Sequence, residues 1–236
     1  HVSSPGTDNA VDFARHARDA GADAILCTIP YNWGANPPGI KAHYEKLLNS
    51  VDLPLFMYNP AVTYYGGQAQ IPPQLIFELA SQYDHLAGIK EASWYTEYFF
   101  EVLRLTSKLP RKFAVFAGIE HLVQTMSMGG CGSFSVLNGL FPGLVRKLYE
   151  LCERGEFVEA RPLQYKASAL LITVKRYKMH AAVKALMEMQ GRPVGLPRQP
   201  NLPLSPSEKE ALVATLKEIG VWQTEFWVEA ATSVPG

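Results

Sequence analysis

"PPQLIFELASQYDHLAGIK", residues 72 to 90, decides the fold, because it reads as one helix running straight into one strand. Proline near the first turn suits a helix start, where backbone N–H groups have no intrahelical partner. The strand climbs through Leu86, Ala87 and Ile89 and then ends on an ammonium group, Lys90. Packing gives no reason for that last residue. Immediately upstream "LPLFMYN" (53–59) is another apolar run of strand length, so residues 53–90 form a strand, helix, strand unit.

The same alternation extends both ways. Upstream lie an amphipathic segment from Ile40 to Val51, the Pro/Gly-rich loop "PYNWGANPPG" and a strand at 24–29. Before that strand, Val11, Ala14, Ala17 and Ala20 fall at helical spacing, with Asp8 or Asn9 available as a cap and Gly21 as a stop. Downstream, a helix at 95–109, a strand at 113–118, a helix at 121–128, a strand at 133–138 and a helix at 142–155 follow in turn. Parallel strands covered on both faces explain why these runs are apolar throughout. Two architectures fit, a doubly wound open sheet or most of an eight-stranded barrel, and both present ligands at the carboxyl ends of the strands. No GxGxxG follows the first strand; the one glycine cluster, "GGCG" at 129–132, precedes a strand and reads as a tight turn. Residues 157–191 are helical in pattern, a segment with five prolines follows, and "SEKEALVATLKEIGV" is a last amphipathic helix. From Gln223 onward there is no clear periodicity, and a loosely held tail is expected.

At 236 residues, with 22 basic against 22 acidic side chains and 47% hydrophobic composition, the chain can bury a sizeable core and has no long-range pull on nucleic acid or anionic membrane. A small-molecule function is the expectation. Cys27, Cys131 and Cys152 are an odd, scattered set without CxxC, which argues against a disulfide framework or zinc site and for a reducing cytoplasm. No apolar run reaches membrane-spanning length and nothing resembles a signal peptide, while the opening on His1 points to an upstream segment. None of the six histidines has a partner at ligand spacing, and there is no GxSxG, so neither metal, cofactor nor serine triad is expected.

If the strands are parallel, Tyr58 and Lys90 leave neighbouring strands at the same end, both pointing inward with Gly88, while Met57 and Ile89 face the helices. A lysine among apolar neighbours loses hydration of its charged form, and the free amine is then a nucleophile for a carbonyl carbon. A phenol beside it can move protons. The alternative is that Lys90 merely pairs with a carboxylate at the strand end.

"GADAILCTIPY", "DLPLFMYNPA" and "LAGIKEAS", in this order, resemble the dihydrodipicolinate synthase and N-acetylneuraminate lyase family of class I aldolases. The resemblance continues through "FAVFAG", "GGCGSFSV" and "CERGEFVEARPLQ" to "RPVGLPRQPNLPLS", covering nearly all of residues 1–222. It implies an α/β fold, a (β/α)8 TIM barrel whose first two strands are not represented, in residues 1–155, then a helical region at 156–222 and a tail at 223–236. It also implies a lyase acting on pyruvate or a related 2-oxo acid and, in the aldol direction, an aldehyde. Lys90 matches the Schiff-base lysine and Tyr58 the proton-relaying tyrosine. Gly118, Phe134, Ser135, Tyr31 and Asn32 match substrate-binding positions, and the usual assembly is a homo-oligomer, a dimer or tetramer. Glu120 is read either as a contact for a polar substrate tail or as an exposed loop carboxylate, and Trp33 as a wall of the pocket or of an oligomer contact.

The departures are equally specific. The family's GTTGE segment has no counterpart, Tyr31 is followed by Asn32 rather than a second tyrosine, and "NPAVTYYGG" lacks the arginine that synthase members use for a second carboxylate. These point away from dihydrodipicolinate as product. Two other readings stay open: a non-catalytic or truncated member that binds a small ligand or only assembles, and a deaminase of a cyclic imino acid.

Overall fold

A computed structural model of the chain describes residues 1–32, 35–60 and 70–227. The chain forms two compact units, His1–Ala117 with Met128–Cys131, and Gly118–Ser127 with Gly132–Gly236. Each has its own apolar core.

In the first unit, α1 (Thr7–Asp19), α2 (Pro37–Leu48), α3 (Pro73–Gln82) and α4 (Thr96–Thr106) alternate with β1 (Ile25–Thr28), β2 (Leu55–Asn59), β3 (Leu86–Glu91) and β4 (Ala114–Ala117). The strands lie side by side in chain order and every pair is parallel. Two transverse rows follow from the register: Leu26, Phe56, Gly88 and Ala114, then Thr28, Tyr58, Lys90 and Phe116. Between them, Cys27, Met57 and Ile89 are 0% exposed, facing the helices as the alternation predicts. The two faces differ, however. Burial on both sides was the expectation, yet Leu26, Phe56, Tyr58, Lys90 and Phe116 are only half-buried. Helices cover one face, and the other carries the polar row.

Local chemistry sets the helix ends. The Asn36 side chain accepts the Gly39 N–H ahead of α2, with proline in the first turn. At the far end of α3, the Arg111 guanidinium donates to the carbonyls of Ala80 and Tyr83. Gly88 leaves no room for a side chain against β4: a Cβ there would stand 2.2 Å from the Ala114 carbonyl oxygen and 2.9 Å from the Phe56 ring.

A buried polar seam joins α1 and α2 to β1. His43, 2% exposed, has Nδ1 2.9 Å from Thr7 Oγ1 and Nε2 3.6 Å from Cys27 Sγ, while Tyr44 donates its hydroxyl to the Cys27 carbonyl. Burial pushes His43 down to about 4 and the Cys27 thiol up to about 12. His43 is therefore neutral in the fold at pH values where the unfolded chain already binds a proton. Its stabilising contribution is complete above pH 6.5 and is lost as pH falls toward 4, about 3 kcal/mol in all. Denaturant midpoints measured from pH 7 to 4.5 should fall more steeply for the wild type than for His43→Gln; equal slopes would show that His43 does not carry the dependence.

The second unit comprises α5 (Leu122–Ser127), β5 (Gly132–Ser133), α6 (Leu137–Leu140), α7 (Pro142–Glu153), α8 (Phe157–Arg176), α9 (Met179–Met189) and α10 (Pro206–Ile219). Its core includes Phe141, Leu144, Leu148, Leu170, Leu186 and Leu212, all 0% exposed. Ser205 and Glu208 close a capping box at the start of α10. Gly129, at φ 93°, turns the chain after α5, as the glycine cluster suggested.

Two expectations are corrected here. The strand read at 133–138 is confined to Gly132–Ser133, because Ser135 Oγ accepts the Leu137 N–H and bends the backbone into α6. The start of the supposed loose tail is packed: Phe226 is 5% exposed, and Trp227 lies 4.5 Å from Trp222 and 6.1 Å from Phe141 between ring centroids. Among the described residues, no helix is long and apolar enough to cross a membrane.

Candidate active site

The second transverse row gathers the chemistry. Tyr58 and Lys90 are Cα partners at the carboxyl ends of β2 and β3, and Lys90 Nζ lies over the Tyr58 ring, 4.0 Å from its centroid. Two effects on Lys90 oppose each other. The ring face attracts the ammonium form, an interaction of roughly 0.5–2 kcal/mol. Burial penalises that charge and prevails, so the amine titrates below the ordinary lysine range. The Phe116 ring of this row lies 6.0 Å from the Phe56 ring of the preceding row, on the strands that flank Gly88.

On the other side of Tyr58 stands Thr28, 0% exposed, whose Oγ1 has no hydrogen-bond partner among the described residues. A buried hydroxyl left unmet costs about 1–3 kcal/mol. One residue beyond the row, Asn59 and Glu91 sit on the helix-facing side, 0% and 3% exposed. Tyr98 of α4 donates to the Ile71 carbonyl beside them; its hydroxyl titrates well above the usual tyrosine range because of burial, with Glu91's charge adding to the shift. Neither Thr28 nor this pair was singled out from sequence. For Glu91 a signal existed: alternation from Lys90 turns the next residue toward the helices, where a carboxylate must find donors.

The remaining candidates divide between the units. Tyr31, half-buried, and Asn32, exposed, follow β1 in the first unit. Trp33 and the loop at 61–69 lie outside the described residues. Gly118, Phe134 and Ser135 belong to the second unit. Phe134 is 45% exposed and follows β5 rather than lying within it, while the Ser135 hydroxyl oxygen is engaged by the Leu137 N–H. Glu120 is not the exposed loop carboxylate that one reading expected. Its carboxylate covers Gly118 and pairs with Lys175 of α8 at 3.1 Å, and its side chain is 13% exposed. No group of three or more His, Cys, Asp or Glu side chains that could hold a metal occurs among the described residues.

A profile of the dihydrodipicolinate synthetase family matches residues 1–219. The chain belongs to this family. Its relatives include the 4-hydroxy-tetrahydrodipicolinate synthase of Methanosarcina mazei, 32% identical over 224 residues, covering 94% of this chain and 75% of the relative. They also include the probable 2-dehydro-3-deoxy-D-pentonate aldolase YjhH of Escherichia coli K12, 31% identical, covering 83% of this chain and 64% of that protein. A crystal structure of dihydrodipicolinate synthase superposes with TM-score 0.84 at 27% identity over 93% of this chain and 74% of that one. The fold is accordingly that of the dihydrodipicolinate synthetase TIM barrels, represented here by part of the (β/α)8 barrel and a C-terminal helical region, and the family is one of class I aldolase-type lyases.

Proposed function

We propose that this member of the dihydrodipicolinate synthetase family is a Schiff-base lyase acting on pyruvate or a related 2-oxo acid. The observation that carries the reading is the placement of a desolvated Lys90 amine 4.0 Å from the Tyr58 ring, in matched register at the carboxyl ends of adjacent parallel strands. The neutral amine adds to the 2-oxo carbon, the carbinolamine loses water, and the resulting iminium withdraws electrons so that a C3 proton can leave. The enamine then adds to an aldehyde or, in reverse, is released by carbon–carbon cleavage; hydrolysis returns the lysine. Tyr58 is the group assigned to carry protons in these steps. Tyr31 and Asn32, with Gly118, Phe134 and Ser135, are assigned to substrate binding through the family resemblance. Three free cysteines suit a reducing cytoplasm, and the assembly is taken as a homo-oligomer.

Borohydride added in the presence of pyruvate should reduce the iminium and leave a stable adduct on Lys90, located by peptide mass mapping. Its yield should rise with pH through a midpoint below that of an ordinary lysine, about 10.4. Tyr58→Phe should still form the adduct, roughly 10²- to 10⁴-fold more slowly, since it keeps the ring face and removes the proton carrier. A wild-type protein that gains no mass on Lys90 would overturn the reading.

A further inference from the structure

Asn59 and Glu91 end their strands one residue past Tyr58 and Lys90, and register places them opposite each other. The pleat turns them toward the helices, away from the face that carries the lysine, so neither is placed to meet the substrate. Burying a carboxylate to 3% exposure is unfavourable unless donors surround it, and an apolar side chain would pack there without that demand. Glu91 does have donors. Its Oε1 accepts the Ser93 N–H at 2.6 Å, a short charge-assisted bond, and the Asn59 amide stands at 3.5 Å. Asn59 in turn accepts the Ile71 N–H on Oδ1 at 3.1 Å, while its carbonyl accepts the Ala92 N–H at 2.9 Å.

The turn that follows is one the chain would not adopt freely. Ser93 Oγ accepts the Tyr95 N–H at 3.2 Å, and Trp94 between them has φ 64°, the left-handed region that bulky side chains avoid. Such a conformation persists where its surroundings over-determine it, and it gathers near functional groups. Here the Glu91 carboxylate is one of the holders, directly adjoining Lys90 in the chain.

We infer that Glu91, assisted by Asn59, is the positioning residue of the site, tying the ends of β2 and β3 together so that Lys90 is presented against Tyr58. This rests on the Schiff-base reading above. The distance at stake is small, and a misplacement of about 1 Å can cost on the order of 10²-fold in rate.

The test measures how fast the borohydride-trapped pyruvate adduct forms on Lys90, at saturating pyruvate and as a function of pyruvate concentration, in wild type, Glu91→Gln and Asn59→Ser. Circular dichroism and thermal unfolding establish that each variant is folded. The expected result for Glu91→Gln is a rate at saturation lowered about tenfold or more, with half-saturation within about twofold of wild type; Asn59→Ser follows in the same direction by less. A merely structural role would lower the folded fraction and leave the rate per folded molecule unchanged. If Glu91→Gln does not fold, Asn59→Ser decides by the same split. Wild-type rates in the folded variants would overturn the positioning role and leave the Schiff-base reading intact. Absence of an adduct in wild type would overturn both, and loss of folding in both variants would overturn the positioning role.

Discussion

Lys90→Met should lose the borohydride-dependent pyruvate adduct altogether and lower turnover on the order of 10⁴- to 10⁶-fold, the scale seen when a covalent nucleophile is removed. Methionine keeps most of the side chain's length and apolar contact, so the half-buried position beside the Tyr58 ring stays filled. Burial of an ammonium is unfavourable, and its replacement by a neutral group should leave thermal stability equal to or above that of wild type. This pairing of lost chemistry with retained stability separates a nucleophile from a structural ion. Lys90→Arg is the complementary control: it keeps a cation for the Tyr58 face and cannot supply a neutral amine. Activity in Lys90→Met, or an unchanged adduct mass on another residue, would assign the nucleophile elsewhere.

Gly88→Ala is expected to cost about 3 kcal/mol or more of stability, at the upper end for overpacking, because the added methyl has nowhere to go. Its nearest neighbour is the Ala114 carbonyl oxygen at 2.2 Å, with the Phe56 ring at 2.9 Å and the Ala114 carbonyl carbon at 3.0 Å; two of the three are backbone, so relief requires β3 and β4 to separate. Gly118 makes a useful contrast. A Cβ there would meet the Glu120 carboxylate at 2.1 Å, but that is the end of a flexible side chain held by a part-buried ion pair. Gly118→Ala should therefore be the milder exchange. In Gly88→Ala the displaced β3 also carries Lys90, whose own partner on β4 is Phe116, so turnover per folded molecule should fall together with the denaturant midpoint. A Gly88→Ala protein with a wild-type midpoint would contradict the close approach of these strands.

The alternation of strands and helices was legible because it depends on local periodicity. Residues 53–90 carry enough apolar pattern and punctuation to define β2, α3 and β3 without any distant contact. The pairing of Tyr58 with Lys90 was legible for the same reason, since parallel register and a two-residue repeat fix which side chains share a face. What escaped depends on partners far away in the chain or on one hydrogen bond. Glu120 could not be assigned without Lys175, 55 residues on, and Phe226 could not be recognised as core without the second unit's apolar cluster. The strand at 133–138 failed on a single Ser135 hydroxyl, whose bond to the Leu137 N–H outweighs the β preference of the run. Glu91 reads in sequence as an ordinary strand-end carboxylate, and only the fold shows it buried against the Asn59 amide and the Ser93 N–H.

The order of the sheet has a consequence for how the site comes into being. Tyr58 and Lys90 stand 32 residues apart in the chain, the two ends of a single crossover through α3. No distant segment has to arrive before they can meet. Closing that loop costs entropy that grows only slowly with its length, and it must be met before the parallel pairing forms. As the chain lengthens, each new strand can dock against the edge left by the previous one, with the site assembled once β3 pairs with β2. The meeting of lysine and tyrosine thus needs one crossover and one strand pairing, both contained in residues 55–91.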